Sequence, residues 1–151
     1  MYNIQPIIEK ILERIEAHKI DTGRYARWLW QNQAGNRELG VNPYGCADAA
    51  NILYSIGDFP RDPVERQCWI DTLRKMQDPE TGLFHEKTHH PIHTTAHCAA
   101  ALELFDALPA YPVHALHHTL PEGGLRIFWS ISTGLIIPGQ IRTAAPVFTL
   151  P

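Results

Sequence analysis

The sequence predicts an all-α fold of antiparallel helical hairpin repeats, on three observations. Over residues 1–108 apolar residues recur at helical spacing, and no stretch alternates with the period of two that a half-buried strand requires. Proline and acidic start signals, with glycine and proline stop signals, bracket several of these segments. The chain also resembles itself at a 49-residue offset: Pro60 matches Pro109, Leu53 matches Leu102, Ala50 matches Ala99 and Ala47 matches Ala96. A period of this length is the mark of a stacked array.

The first helix is expected over Ile4–His18, where Ile4, Ile7, Ile8, Ile11, Leu12 and Ile15 fall on one face. "RYARWLWQNQ" (24–33) is expected as a second helix anchored in the core by Trp28. "YGCADAANILYSIG" (44–57) comes next, made mostly of small and apolar residues and stopped by Gly57. In "RDPVERQCWIDTLRKMQ" (61–77), Asp62 reads as the N-cap, Pro63 as the first helical residue, and Glu65 sits three residues after the cap. Its Val64, Cys68, Ile70 and Leu73 leave a charged outer face. "PIHTTAHCAAALELFDAL" (91–108) starts on Pro91 and is apolar nearly all round, as a helix buried on several sides would be. Each repeat thus pairs a charged outer helix with a small-residue inner helix through a polar, glycine-bearing loop.

Bulk properties narrow the function classes. A net charge of −3 with dispersed Lys and Arg argues against a nucleic-acid partner. No apolar run approaches the ~20 residues of a membrane span, and the first twenty residues lack the uninterrupted apolar core of a secretory signal. Three cysteines, Cys46, Cys68 and Cys98, in such a chain fit reduced thiols and a cytoplasmic location.

The pattern W-x3-L-x3-QDPETGLF, followed by HTTAHCAAALELF, resembles a helical hairpin of the α/α-toroid proteins. These include six-hairpin glycosidases, polysaccharide lyases, sugar epimerases, terpenoid cyclases and protein prenyltransferases. The likeness covers about residues 22–109 and implies part of a toroid, whose inner-helix N-termini and preceding loops line the active-site mouth. It implies a cavity bordered by Tyr44, Cys46 and Asp48 from one hairpin and by His89, His90, His93 and His97 from the next. The prenyltransferase branch binds zinc through Asp-x-Cys and His-Thr. Here "YGC" supplies Cys46 and "HTT" supplies His93, but Tyr44 stands where the aspartate belongs.

Eight of the nine histidines lie between His85 and His118, so the chemistry is sought there. "HEKTH" (85–89) spells the H-E-x-x-H of zinc proteases, which requires a continuous helix to bring both imidazoles to one face. Gly82 before it and Pro91 after it argue for a loop. His93 and His97 are four apart in an expected helix and share a face, and His97 aligns with Asp48 at the 49-residue offset. A carboxylate and an imidazole at equivalent places make an acid/base pair suited to glycoside or uronide chemistry. Equally, such a histidine can simply bond a neighbouring loop, and Asp48 can cap or pair with an arginine. Glu86, in the mouth loop, is the further acid/base candidate. Tyr44, His89 and His90 are the substrate-binding candidates. No cofactor is required by this reading, although Cys46 and His93 could contribute to a zinc site.

Residues 1–120 are therefore expected as the helical-hairpin domain. Residues 121–151 form an atypical apolar tail, read either as a frame-shifted end of a longer parent or as a segment that docks on a partner. Two or three hairpins would leave an open inner face prone to self-association. The leading function is a carbohydrate-active protein or fragment acting on a small-molecule or oligosaccharide substrate. A non-catalytic helical-repeat binding module and a zinc-dependent prenyltransferase relative are the alternatives.

Overall fold

The computed structural model describes residues 2–31, 35 and 39–116; the 121–151 tail, with His117 and His118, lies outside them. Among the described residues four helices, α1 (Gln5–His18), α2 (Pro43–Ile56), α3 (Pro63–Lys75) and α4 (Pro91–Leu104), pack with a two-stranded antiparallel sheet. The strands are β1 (Lys19–Asp21) and β2 (Arg24–Tyr25), and a short 3-10 turn spans His114–Leu116. This corrects the all-α, hairpin-repeat expectation: the fold mixes helices with a β-hairpin. Among the described residues no helix is long and apolar enough to cross a membrane.

The hairpin stands where a helix was expected over 24–33. Asp21 Oδ1 accepts from the Thr22 amide at 2.7 Å, and Gly23 takes a left-handed φ of 70°, which turns the chain back on α1. The Ala26 amide then donates to the His18 carbonyl at 2.8 Å, and the Asn42 amide donates to the Tyr25 carbonyl at 3.0 Å. Backbone groups committed to these distant partners cannot also close a helical turn. Ala26 bridges Val41, so the loop between them leaves and returns at one point on the N-terminal end of α2.

Each remaining helix starts on a proline after a capping residue. Asn42 Oδ1 accepts from the Tyr44 and Gly45 amides ahead of α2, and Asp62 accepts from Glu65 at 2.8 Å ahead of α3. His90 Nδ1 accepts from Ile92 at 3.3 Å ahead of α4. The 49-residue correspondence is confined to α2 and α4. Both end with a residue at positive φ, Gly57 (81°) and Asp106 (57°), and both close with an amide reaching back five residues, Asp58 to Leu53 and Ala107 to Leu102. Helices α1 and α3 lead into different structures, a β-hairpin in one case and the QDPETGLF turn in the other.

α2 and α4 make the most extensive helix pairing, and both bury small residues, Ala47 and Ala50 on α2 and Ala99 and Ala101 on α4. Small side chains allow close approach, and Trp69, rather than Trp28, supplies the buried aromatic bulk. Trp69 is wholly buried on α3, with Tyr25 stacked at 4.8 Å and Phe105 at 5.6 Å. Trp28 is only half-buried, and Val64 is exposed rather than inward-facing. Ile15 is the buried residue of α1, whereas Ile4 and Ile7 remain exposed.

Candidate functional site: the tyrosine–histidine cluster at the α2 and α4 N-termini

The QDPETGLF turn fixes the loop that precedes α4. Asp78 accepts from the Glu80 amide at 2.9 Å and from the Thr81 hydroxyl at 2.7 Å, while the Asp78 amide donates to the Leu83 carbonyl at 2.9 Å. Gln77 is buried and fully bonded: Nε2 donates to the Gly82 and Tyr111 carbonyls, and Oε1 accepts from the Tyr111 amide. Gln77 bridges Phe84, and the Phe84 amide donates to Thr95 Oγ1 at 2.9 Å, which ties the loop to the first turn of α4. From His85 to His90 the chain runs as a loop over the ends of α2 and α4. The H-E-x-x-H sequence therefore has no helix beneath it. His85 faces Asp78 at 3.8 Å, away from the Glu86–His89 contact.

Tyr44 is the hub. It is buried on the first turn of α2, with the His89 ring centroid at 4.3 Å, that of His97 at 4.9 Å and that of His93 at 6.0 Å. Its Oη lies 2.6 Å from His93 Nδ1. The Arg27 guanidinium lies 4.8 Å from the Tyr44 ring centroid and 5.0 Å from that of Trp28. Burial pushes the Tyr44 hydroxyl above its ordinary pKa, with the nearby Asp48 charge acting in the same direction, so the phenol remains a proton donor.

His97, one turn further along α4, places Nε2 2.7 Å from Asp48 Oδ1. A carboxylate offers only acceptor oxygens, so Nε2 carries the hydrogen and, in the neutral ring, Nδ1 keeps its lone pair. Both pairs, Tyr44–His93 and Asp48–His97, join positions 49 residues apart in sequence. The self-similarity thus places equivalent residues of α2 and α4 face to face.

Glu86 does not resemble an acid/base group. Its side chain is 4% exposed, and Arg27 Nη1 reaches it at 3.2 Å. The Thr88 amide donates at 2.8 Å, the Thr88 hydroxyl also donates, and His89 Nδ1 lies at 3.3 Å. Burial opposes ionisation, but the Thr88 bonds, His89 and Arg27 outweigh it, so the carboxyl lies below its ordinary range. It remains a charged anchor that holds Arg27 and the His89 loop against Tyr44.

The remaining candidates lie apart from the cluster. His90 is spent as the cap of α4. Cys46 is wholly buried under β2: Sγ accepts from the Tyr25 amide at 3.4 Å, and burial raises the thiol to about 11. Cys46 Sγ faces the Tyr25 backbone, and His93 Nδ1 faces Tyr44 Oη. Among the described residues, no group of three or more His, Cys, Asp or Glu is arranged to hold a metal ion. Cys98 is likewise buried, with its thiol raised by burial and directed at the Pro43 carbonyl. Arg27 and Thr88 escaped the sequence reading. Arg27 fell inside the expected helix, and its carboxylate partner is 59 residues away.

Two depressions flank β2. A cleft of about 200 Å³ is bordered by Arg27 and Asp48 together with Arg14, His18 and Gly45, and so adjoins the cluster. The larger depression, about 680 Å³, lies at the other end of α2 and contains no cluster residue. The adjacency of the smaller cleft to Asp48 bears more on the chemistry than the size of the larger one. Comparison with known proteins returns no match among family models, curated proteins or solved structures.

Proposed function

We propose that this protein is a carbohydrate-active protein that carries out proton-transfer chemistry on a uronide, an oligosaccharide unit bearing a carboxylate. The observation that carries this reading is the pair of oriented imidazoles, His97 on Asp48 and His93 on Tyr44, on one face of α4. Hydrolysis of a neutral glycoside calls for two carboxyl groups astride the scissile bond. With Glu86 bound to Arg27 and Thr88, only Asp48 remains, and it is engaged with His97. Elimination from a uronide requires instead one base, one acid and a cation for the carboxylate.

His97, held by Asp48, presents the Nδ1 lone pair and takes the proton from the carbon next to the uronate carboxyl. The carbon–oxygen bond at the adjacent position breaks, and a carbon–carbon double bond forms. His93, with Nδ1 accepting from Tyr44, gives its Nε2 hydrogen to the departing sugar oxygen while Nδ1 takes the Tyr44 proton, so the ring stays neutral and the phenolate forms beside Arg27. Arg27 supplies positive charge near the substrate carboxylate, lowering the cost of negative charge developing beside it.

The test is ultraviolet detection of unsaturated uronide product from pectate, alginate and glycosaminoglycan oligosaccharides. The reading expects product from at least one of these, and a loss of about a hundredfold or more in His97→Ala with the fold intact by circular dichroism. A folded wild-type protein that leaves all three unchanged would remove the proposal.

A further inference from the structure

The cleft of about 200 Å³ beside the cluster contains a charge that the proton transfers above leave unused. Arg14 and His18 border it from α1, Arg27 from the segment after β2, and Asp48 from α2. Two of these are already matched, Arg27 by Glu86 at 3.2 Å and Asp48 by His97 at 2.7 Å. The Arg14 side chain makes no ion pair or hydrogen bond among the described residues. The cleft therefore keeps one unmatched positive charge, on its α1 side. His18 is oriented as well. A carbonyl oxygen only accepts, so Nδ1 donates to the Ala26 carbonyl at 3.0 Å, and the neutral ring keeps its lone pair on Nε2. Ile15, Ile52, Ala49 and Gly45 complete a mostly apolar or small border. Apolar walls with a few placed polar groups are the usual make-up of a small-molecule site.

We infer that this cleft holds the sugar unit next to the one that loses its proton, and that this neighbour is itself a uronate, its carboxylate on Arg14. The inference rests on the uronide reading and narrows its substrate to a contiguous polyuronide of the pectate or alginate kind, in which successive units each bear a carboxylate. In a glycosaminoglycan, uronates alternate with amino sugars, so the adjoining unit would bring no carboxylate to Arg14. Continuity carries the placement. Arg27 and Asp48 belong to the cluster and to the cleft alike, so a chain seated against His97 runs from one into the other. Arg27, over the Tyr44 ring, serves the reacting unit, and Arg14 is left for the next one. A guanidinium meets a carboxylate with two parallel N–H bonds, which fixes orientation as well as charge. Ile15 and Ile52 offer apolar surface to the C–H face of the sugar, and His18 Nε2 is an acceptor for one of its hydroxyls. The volume falls below the roughly 300–1,000 Å³ of sites for drug-sized ligands, which suits a single ring rather than a longer segment.

Calorimetric titration at matched ionic strength tests this, with the full chain carrying His97→Gln so that the ligand stays intact. The probes are tetramers of galacturonate, of mannuronate, of hyaluronan and of chondroitin sulfate. One of the two polyuronides is expected to bind at least about tenfold tighter than either glycosaminoglycan. Adding Arg14→Gln should weaken that polyuronide about tenfold and hyaluronan less than about twofold. Arg61→Gln makes the same charge change at the other end of α2 and should leave the preference in place. Circular dichroism reports the fold of each variant. Glycosaminoglycan binding as tight as polyuronide binding, a preference that survives Arg14→Gln, or an equal loss in Arg61→Gln would each overturn the inference and leave the uronide reading standing. Absence of binding by all four tetramers would overturn both.

Discussion

The two ends of α2 solve opposite electrostatic problems. At the N-terminal end, polar groups are matched side by side: Arg27 with Glu86, Tyr44 with His93, Asp48 with His97. At the C-terminal end, carboxylates outnumber cations: Glu13, Glu16, Asp58 and Glu65 border the larger depression against Lys19 and Arg61. A matched set of hydrogen bonds orients ring nitrogens, while the carboxylates at the other end are left to solvent and weak surface pairs such as Lys19–Glu16. β2 links the two, since Tyr25 borders the larger depression and Arg27, two residues on, faces the cluster.

The largest effect is expected from Trp69→Ala, which removes the stacking surface beneath Tyr25 and should cost about 3–5 kcal/mol in chemical denaturation. Unchanged stability in this variant would break the comparison, since Tyr25 and Phe105 both stack on the Trp69 ring. Next is Gly45→Ala. A Cβ there would meet the Ala26 backbone carbonyl carbon at 2.7 Å and the Tyr25 carbonyl oxygen at 2.8 Å. Pushing β2 off α2 should cost about 1–3 kcal/mol, and the Arg27–Glu86 contact should loosen with it.

Glu86→Gln tests the cluster alone and should cost about 1–3 kcal/mol, because Arg27 and Thr88 lose a charged acceptor. The Glu86 carboxyl is lowered in the folded protein. Its stabilisation is thus full above the ordinary value of 4.5 and is lost as pH falls through the lower folded value. Unfolding curves below pH 4.5 should therefore be flatter in Glu86→Gln than in the wild type. An equally steep acid limb in the variant would assign the acid sensitivity elsewhere. The smallest effect is expected from Asp106→Gly. It relieves a non-glycine residue at φ 57° and forfeits only the exposed pair with Arg66, so stability should rise by up to about 1 kcal/mol.

The sequence disclosed the parts of the molecule governed by local chemistry. The segments that became α1, α2, α3 and α4 carry their own start signals, and Asp62, Pro63 and Glu65 open α3 as their spacing implies. The alignment of Asp48 with His97 was also visible, because it is a matter of counting along the chain. Hidden were the features fixed by distant partners. Tyr25 and Ala26 commit their backbones to Asn42 and His18, which turns an apparent helix into a strand. Cys46 looked as if it could border a mouth, yet its Sγ is enclosed by the Tyr25 backbone. Glu86 looked like an acid until Arg27 and Thr88 were found around it. In each case a contact made across the fold overrode the local pattern.

The most direct test of the cluster measures hydrogen exchange and bond cleavage separately in deuterium oxide, on the uronide that the wild type turns over. The two imidazoles are assigned different steps, so their variants should differ. His93→Gln is expected to keep exchanging the proton beside the carboxylate while losing cleavage, and His97→Gln should lose both. Exchange at the wild-type rate in His97→Gln would contradict the account.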